Sequence, residues 1–169
     1  NNAAVAAQRL RDRGANRVGI IDIDYHHGNG TESIFLDRGD VVFVSLHADP
    51  RDEFPWFAGF ADERGTGSGR GANLNLPLPK GATSGAWFSA LETALGFLTS
   101  ARLDALVVSL GVDAYEHDPL GTFALTTSDF AQAGDWIRSL GLATVIVQEG
   151  GYAVETLGAN VVAFLDRWA

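Results

Sequence analysis

The sequence predicts an α/β protein built on a parallel sheet, and three observations support this prediction. Four short apolar runs rich in Val, Ile and Leu indicate buried strands, and segments with helical spacing lie between them. The runs are continuous rather than alternating, which is typical of strands covered by helices on both faces of a sheet. Strands that alternate with helices in this way produce a layered fold with right-handed crossovers.

Each predicted strand is four to six residues long and is bounded by polar or glycine-containing segments. The four strands are Val18–Ile23, Val41–Leu46, Ala105–Leu110 and Thr144–Val147. From Asp49 to Ala82 no element is predicted, and a connection of this length inside a compact domain is usually functional or disordered.

Four helices are predicted, and the first is the segment NNAAVAAQRLRDRG, which ends at Gly14. Thr83 or Ser84 is the expected N-cap of the second helix. The apolar positions at helical spacing are Trp87, Leu91, Leu95 and Leu98 in the second helix, Phe130, Ala133, Ile137 and Leu140 in the third, and Leu157, Val161, Phe164 and Trp168 in the last.

Composition narrows the class of protein. A chain of 169 residues that is 46% hydrophobic is expected to form about one globular domain. No apolar stretch is long enough to span a bilayer, so we expect a soluble, cytoplasmic protein with no membrane partner. The net charge of −9 argues against nucleic acid as a partner, since phosphate backbones attract basic surfaces. Because cysteine is absent, disulfides and Cys-type zinc sites are excluded, and any metal must be held by His, Asp or Glu.

Polar side chains follow all four predicted strands. They are Asp22, Asp24, His26 and His27 after the first strand, Ser45 and His47 at the second, Asp113 after the third, and Glu149 and Tyr152 after the fourth. The carboxyl ends of parallel strands lie along one edge of a sheet, where ligands bind in open α/β folds. Strand-end caps and turn formers are the alternative explanation for any single cluster, but four clusters at one edge favour a site.

Asp24 and His26 are alternate residues of a segment expected to be extended, so their side chains should point the same way. Asp113 would reach the same ion from a neighbouring strand. Two carboxylates and one imidazole suit zinc and tolerate other divalent metals, and three protein ligands leave a position open for water or substrate. Tyr152 either donates a hydrogen bond to a developing oxyanion or packs on the surface. His47 is either a structural residue or part of a pocket wall.

Five motifs in order resemble the zinc-dependent histone deacetylase superfamily. They are DIDYHHGNGT, VSLHADP, GFADERGTGSG, SLGVDAYEHDPLG and QEGGY, and together they extend over nearly the whole chain. Within that superfamily the sequence is most similar to bacterial acetylpolyamine amidohydrolases and class II-like deacetylases. The resemblance implies a three-layer arginase/deacetylase fold.

The resemblance also implies a reaction and its residues. Asp24, His26 and Asp113 are expected to bind a catalytic zinc ion, and Tyr152 matches the tyrosine that stabilises the transition state. Asp22 matches a residue that orients a catalytic histidine. The expected reaction is hydrolysis of an acetylated amine, from an acetyl-lysine peptide or an acetylpolyamine, by metal-activated water.

Further family features fall on two groups of residues. A monovalent-cation site, usually occupied by potassium, is implied at Asp22, Ser45 and Leu46. Substrate-binding positions are implied at Phe54, Gly151 and Leu120. A polyamine-selective branch of the family carries an acid where this sequence has Leu120, which argues against that branch's specificity.

One family feature has no counterpart in the sequence. The resemblance implies a proton-transferring histidine pair upstream of the segment that matches NNAAVAAQ, where this chain starts. We therefore expect residues 1–169 to be the C-terminal portion of a single deacetylase domain, with little turnover alone and with exposed apolar surface that favours self-association. The alternatives are an arginase-like binuclear manganese hydrolase and a non-catalytic fragment that binds a metal or a partner.

Overall fold

The computed structural model describes residues 1–168, which form a five-stranded, all-parallel sheet between two layers of helices. The strand order is β3-β2-β1-β4-β5. The elements are α1 (Asn2–Asp12), β1 (Val18–Asp22), α2 (Asn29–Phe35), β2 (Val41–Ala48), β3 (Asn73–Leu78), α3 (Ser84–Ser100), β4 (Ala105–Leu110), α4 (Thr127–Arg138), β5 (Ala143–Gln148) and α5 (Val154–Leu165). The predicted α/β class and parallel sheet are confirmed.

Two hydrophobic clusters separate the layers, because successive side chains of a strand point to opposite faces. Ile20 and Phe43 pack with α1 and the end of α2 on one face. Ile21 and Val44 pack with α3, α4 and α5 on the other. Every residue of β1, β2 and β4 is buried, as their continuous apolar runs predicted.

Helix boundaries follow the predicted caps. The Thr83 side chain accepts a hydrogen bond from the Ala86 amide at 3.4 Å and starts α3. In α4, Thr126 and Asp129 form a reciprocal capping box. After α1, Gly14 has a φ of 103°, a conformation that glycine adopts without strain. The last helix ends earlier than predicted, at Leu165, and a 3₁₀ turn continues to Trp168.

Two elements were missed by the sequence prediction. Strand β3 lies within the supposed connection from Asp49 to Ala82, where its Asn residues and Pro77 resemble a loop composition. Proline is tolerated here because β3 is an edge strand. Helix α2 begins beside Gly28 and Gly30, a composition typical of a turn.

Thr144–Val147 lies in a strand as predicted, but the prediction that this strand is buried was wrong. Within residues 1–168 strand β5 pairs with β4 alone, which leaves its outer edge open there, and its residues are half-buried or exposed. Val145 is 38% exposed, and Val154 and Val162 of the adjoining α5 are also exposed. None of the helices in residues 1–168 has the length and apolar character that a membrane crossing would need.

Candidate metal centre

The site lies at the carboxyl edge of the sheet, where the predicted polar clusters meet. Strand β1 lies between β2 and β4, and the register places Asp22 beside both Ser45 and Ser109. The segment after Asp22 therefore lies next to the segment after β4, which carries Asp113. The predicted convergence of separate strand ends is confirmed for β1 and β4.

The segment from Asp24 to His26 is a bend and not the predicted extended chain. The Asp22 carboxylate accepts a hydrogen bond from the Asp24 amide at 3.1 Å, and the Asp24 carboxylate accepts one from the His26 amide at 2.8 Å. Aspartate commonly stabilises turns in this way. Strand β1 and its side-chain alternation end at Asp22. The turn, and not alternation, therefore brings the side chains of Asp24 and His26 to the same point.

Asp24, His26 and Asp113 form the one cluster within residues 1–168 whose His, Asp or Glu ligand atoms converge closely enough to hold a metal ion. One ligand atom from each lies within 4.8 Å of the other two. His26 Nδ1 is 3.2 Å from Asp113 Oδ2 and 3.5 Å from Asp24 Oδ1. Two carboxylates and an imidazole are a donor set that zinc accepts, with a fourth position open.

Backbone amides hold both carboxylates in place. The Tyr25 amide donates to Asp113 Oδ1 at 2.9 Å, and the Gly150 amide donates to Asp24 Oδ2 at 2.8 Å. A Cβ atom at Gly150 would lie 2.5 Å from an oxygen of each carboxylate. Glycine is therefore required at this position in QEGGY, because any side chain would collide with the cluster.

The electrostatics of the cluster favour a bound cation. Burial, and then the charge of Asp24, raise the pKa of Asp22 well above its usual range. Burial also raises the pKa of Asp113 to about 6, although the contact with His26 opposes the shift. Hydrogen bonds to Asp113 and Asp24 raise the pKa of His26 to about 10. The two carboxyl groups beside the His26 imidazole would be stabilised by a divalent ion.

A cleft of about 680 Å³ opens above the cluster, and its lining includes Phe54, Leu120 and Tyr152. These three side chains are 45%, 52% and 45% exposed. Burial, together with the charges of Asp113 and Asp24, raises the pKa of Tyr152. The phenol of Tyr152 therefore stays protonated at neutral pH and is available as a hydrogen-bond donor beside the cluster.

Gly151 has a different environment from the other predicted substrate positions. Its φ is 149°, and a Cβ atom there would lie 2.6 Å from a Val112 methyl carbon and 2.7 Å from one of Leu157. The residue thus packs against the protein interior and permits the turn before Tyr152. Contact of its backbone with substrate stays a prediction.

The other histidines are not members of the cluster, although His27 also lines the cleft. His47 Nδ1 is 2.8 Å from Ser45 Oγ, and its Nε2 is 2.9 Å from the Gly59 carbonyl oxygen. Burial lowers the pKa of His47 to about 4, so this residue is a neutral structural histidine. His27 is buried, with Nε2 2.8 Å from a Glu32 oxygen. His117 is exposed on the surface.

The predicted monovalent-cation site at Asp22, Ser45 and Leu46 stays a prediction. All three residues are buried on adjacent strands. The Ser45 hydroxyl faces His47, so any ion at this position would depend chiefly on backbone carbonyl oxygens and on Asp22.

Asp118 was not predicted to support the wall of the cleft. Its buried carboxylate accepts hydrogen bonds from the amides of Leu120, Tyr152 and Ala153. The available signal was its position before Pro119, because Asp-Pro pairs commonly initiate turns.

Comparisons with known proteins agree with this architecture. A family profile described as histone deacetylase domain matches residues 1–167. Acetylpolyamine amidohydrolase 2 from Pseudomonas aeruginosa is 53% identical over 166 residues, a match that covers 98% of this chain and 48% of that protein. The chain thus spans about half the length of the curated relatives it matches.

Solved structures share the fold over almost the whole chain. The crystal structure of acetylpolyamine aminohydrolase from Burkholderia pseudomallei has a TM-score of 0.97 at 49% identity and covers 99% of this chain and 49% of that one. An HDAC homologue from Aquifex aeolicus has a TM-score of 0.93 at 34% identity, covering 99% of this chain and 45% of that one. The predicted three-layer deacetylase-like fold is confirmed.

Proposed function

The chain belongs to the histone deacetylase domain family, and we propose that it carries the metal centre of a zinc-dependent enzyme that hydrolyses acetylated amines. The observation that carries this proposal is the convergence of Asp24, His26 and Asp113 at the base of a cleft that Tyr152 also lines. A candidate metal site, an open cleft and a protonated phenol are three features that metal-assisted amide hydrolysis uses.

Each residue has a defined part in the proposed reaction. A zinc ion, when bound, would supply a Lewis acid that polarises the amide carbonyl and activates a water molecule. Asp24, His26 and Asp113 would hold it, with both carboxylates already oriented by backbone amides. The Tyr152 hydroxyl would donate a hydrogen bond to the oxyanion that develops as the amide is attacked, which is worth about 100-fold or more in rate.

The proposed substrate class is an acetylated amine, with acetylpolyamines as the first candidate. The support is the high identity to proteins named acetylpolyamine amidohydrolases. The net charge of −9 also favours a polycationic substrate. Phe54 and Leu120 would line the acyl-amine arm at the rim of the cleft. Acetyl-lysine peptides present the same arm and are the second candidate.

The proton-transfer groups are not evident near the cluster within residues 1–168. Apart from His26, the histidines are engaged with Glu32, Ser45 and Gly59 or lie on the surface. Hydrolysis needs a base for the water proton and an acid for the leaving amine. We therefore propose that residues 1–169 alone turn over slowly, whereas the intact protein that contains them is the active deacetylase.

The test compares the intact protein with the isolated chain on an acetylated diamine and an acetyl-lysine peptide. We expect turnover by the intact protein that is lost on chelation and restored by one equivalent of zinc. Tyr152→Phe should reduce kcat by about 100-fold or more while retaining zinc. Activity that needs two manganese ions, or that survives chelation, would contradict the proposal.

A further inference from the structure

We propose that Asp118 is a positioning residue that holds both Tyr152 and Leu120 over the metal cluster. The inference rests on the proposed function, because it assigns Asp118 an effect on turnover through the Tyr152 phenol. It extends that function to a residue that belongs neither to the proposed ligand set nor to the residues that line the cleft.

A single buried carboxylate links two separate segments of the cleft wall. Asp118 Oδ2 accepts hydrogen bonds from the amides of Tyr152 at 2.7 Å and Ala153 at 3.0 Å. Asp118 Oδ1 accepts a hydrogen bond from the Leu120 amide at 2.9 Å. Hydrogen bonds from backbone amides to a carboxylate are stronger than those between neutral groups. The carboxylate therefore fixes the backbone at the proposed oxyanion donor and at the rim together.

The turn that carries Asp118 is itself anchored to a proposed metal ligand. The Asp118 amide donates to the Tyr115 carbonyl oxygen at 2.9 Å. A Cβ atom at Gly121 would lie 1.9 Å from the carbonyl oxygen of Asp113. Only glycine permits this approach, so the turn from 118 to 121 rests directly on the backbone of Asp113. The turn that contains Asp118 therefore links the backbone of Asp113 in the cluster to the rim of the cleft at Leu120.

The segment that carries Tyr152 is held at both ends. On one side, the Gly150 amide donates to Asp24, and the Gly150 carbonyl oxygen accepts from the Val112 amide at 2.8 Å. On the other side, the amides of Tyr152 and Ala153 donate hydrogen bonds to the Asp118 carboxylate. Between these points lies Gly151, with a φ of 149°. Without Asp118, glycine would let the Tyr152 backbone move, and the phenol would lose its fixed distance from the cluster.

Asp118→Asn is the most informative substitution because it keeps the size of the side chain. An amide group has one acceptor oxygen, and its NH₂ group is a donor. Either orientation of the asparagine therefore places that NH₂ group against the Leu120 amide or against the amides of Tyr152 and Ala153. We expect kcat of the intact protein to fall by about 10-fold or more, a partial loss of what an oxyanion donor contributes. Zinc content should not change.

The matched control is Glu116→Gln, which makes the same chemical change two residues away on the surface. Its kcat should stay within about twofold of the wild type, as surface substitutions usually have small effects. The decisive measurement is the double variant with Tyr152→Phe. If Asp118 acts through the phenol, Asp118→Asn should cause no further loss of kcat once the hydroxyl is gone.

Two outcomes would overturn the inference while leaving the proposed function intact. One is an Asp118→Asn enzyme with wild-type kcat although Tyr152→Phe is impaired, and the other is an equal loss in both backgrounds. If Asp118→Asn does not fold, Asp118→Glu replaces it, because glutamate keeps the charge but displaces the carboxylate. Asp118→Glu is then combined with Tyr152→Phe, and the same two outcomes would overturn the inference. If Tyr152→Phe is itself fully active, the proposed function has failed instead.

Discussion

At the scale of single residues, the candidate metal centre combines charge and geometry in a way that favours a cation. His26 is close to two carboxylates, and its contacts with Asp113 and Asp24 raise its pKa to about 10. In this arrangement a proton on the imidazole balances part of the negative charge. A zinc ion would replace that proton, so metal binding should release protons.

We predict that His26→Ala lowers the affinity of the chain for zinc by more than about 100-fold. Losing a residue that only supports a ligand costs about 10- to 100-fold, and loss of the ligand itself should cost more. The measurement is a zinc titration against a competing chromophoric chelator. His117→Ala, which removes an exposed histidine, is the control and should bind zinc as the wild type does. Equal affinity of the two variants would remove His26 from the site.

At the scale of elements, ion pairs fasten α1 to the segment before β2. Asp40 Oδ2 accepts a hydrogen bond from Arg11 Nε at 2.7 Å, and Asp40 Oδ1 accepts one from Arg38 Nε at 2.9 Å. The hydrogen bonds from Arg38, and then those from Arg11, hold the pKa of Asp40 well below its usual range against the opposing effect of burial. Because α1 covers β1 and β4, this contact fixes the layer behind the candidate metal centre.

We predict that Asp40→Asn lowers the free energy of unfolding by about 1 kcal/mol at neutral pH, since the ion pair is partly exposed. The folded-state pKa of Asp40 lies below the unfolded value of about 4. Its stabilisation is therefore complete above that value and is lost as the pH falls toward the folded pKa.

The measurement for this prediction is urea unfolding at several pH values. The wild type should lose more stability than Asp40→Asn as the pH falls below about 5. Asp12→Asn is the control, because Asp12 is exposed at the end of α1 and accepts a hydrogen bond from Gln8. Parallel pH profiles for the wild type and Asp40→Asn would contradict the role given to the ion pair.

At the scale of the whole molecule, one flank of the sheet is uncovered. The outer edge of β5 has no partner strand within residues 1–168, and β5 carries no charged side chain. Val145 is exposed on that strand, and Val154 and Val162 are exposed on α5. An uncharged edge strand beside apolar surface favours association with other chains.

We predict that the isolated chain self-associates at high concentration and that Val145→Lys shifts it toward the monomer. A lysine on an edge strand opposes pairing because its charge would be buried at the contact. The molar mass is measured by light scattering over a concentration series. Ile34→Lys, at an exposed apolar position on α2, which packs against β2, is the control and should associate as the wild type does. A monomeric wild-type chain at high concentration would contradict the prediction.

The sequence alone determined the features that depend on neighbouring residues. Continuous apolar runs located four of the five strands, helical spacing located α3, α4 and α5, and Thr83 was one of the two candidate caps of α3. The cluster of Asp24, His26 and Asp113 was also anticipated, because these residue types follow strands that had to end at one edge, and its role as a ligand set stays a prediction. Short-range periodicity and the ends of parallel strands are encoded in contiguous sequence.

Only the tertiary structure decided features that depend on contacts between distant segments. It placed β1 next to β4, turned Asp24 and His26 together through a bend, and left β5 at an open edge. It joined Asp118 to Tyr152, and it made β3 a strand although its composition resembles a loop. The physical reason is that burial, edge position and carboxylate partners are set by which segments pack together, and no local pattern of residues contains that information.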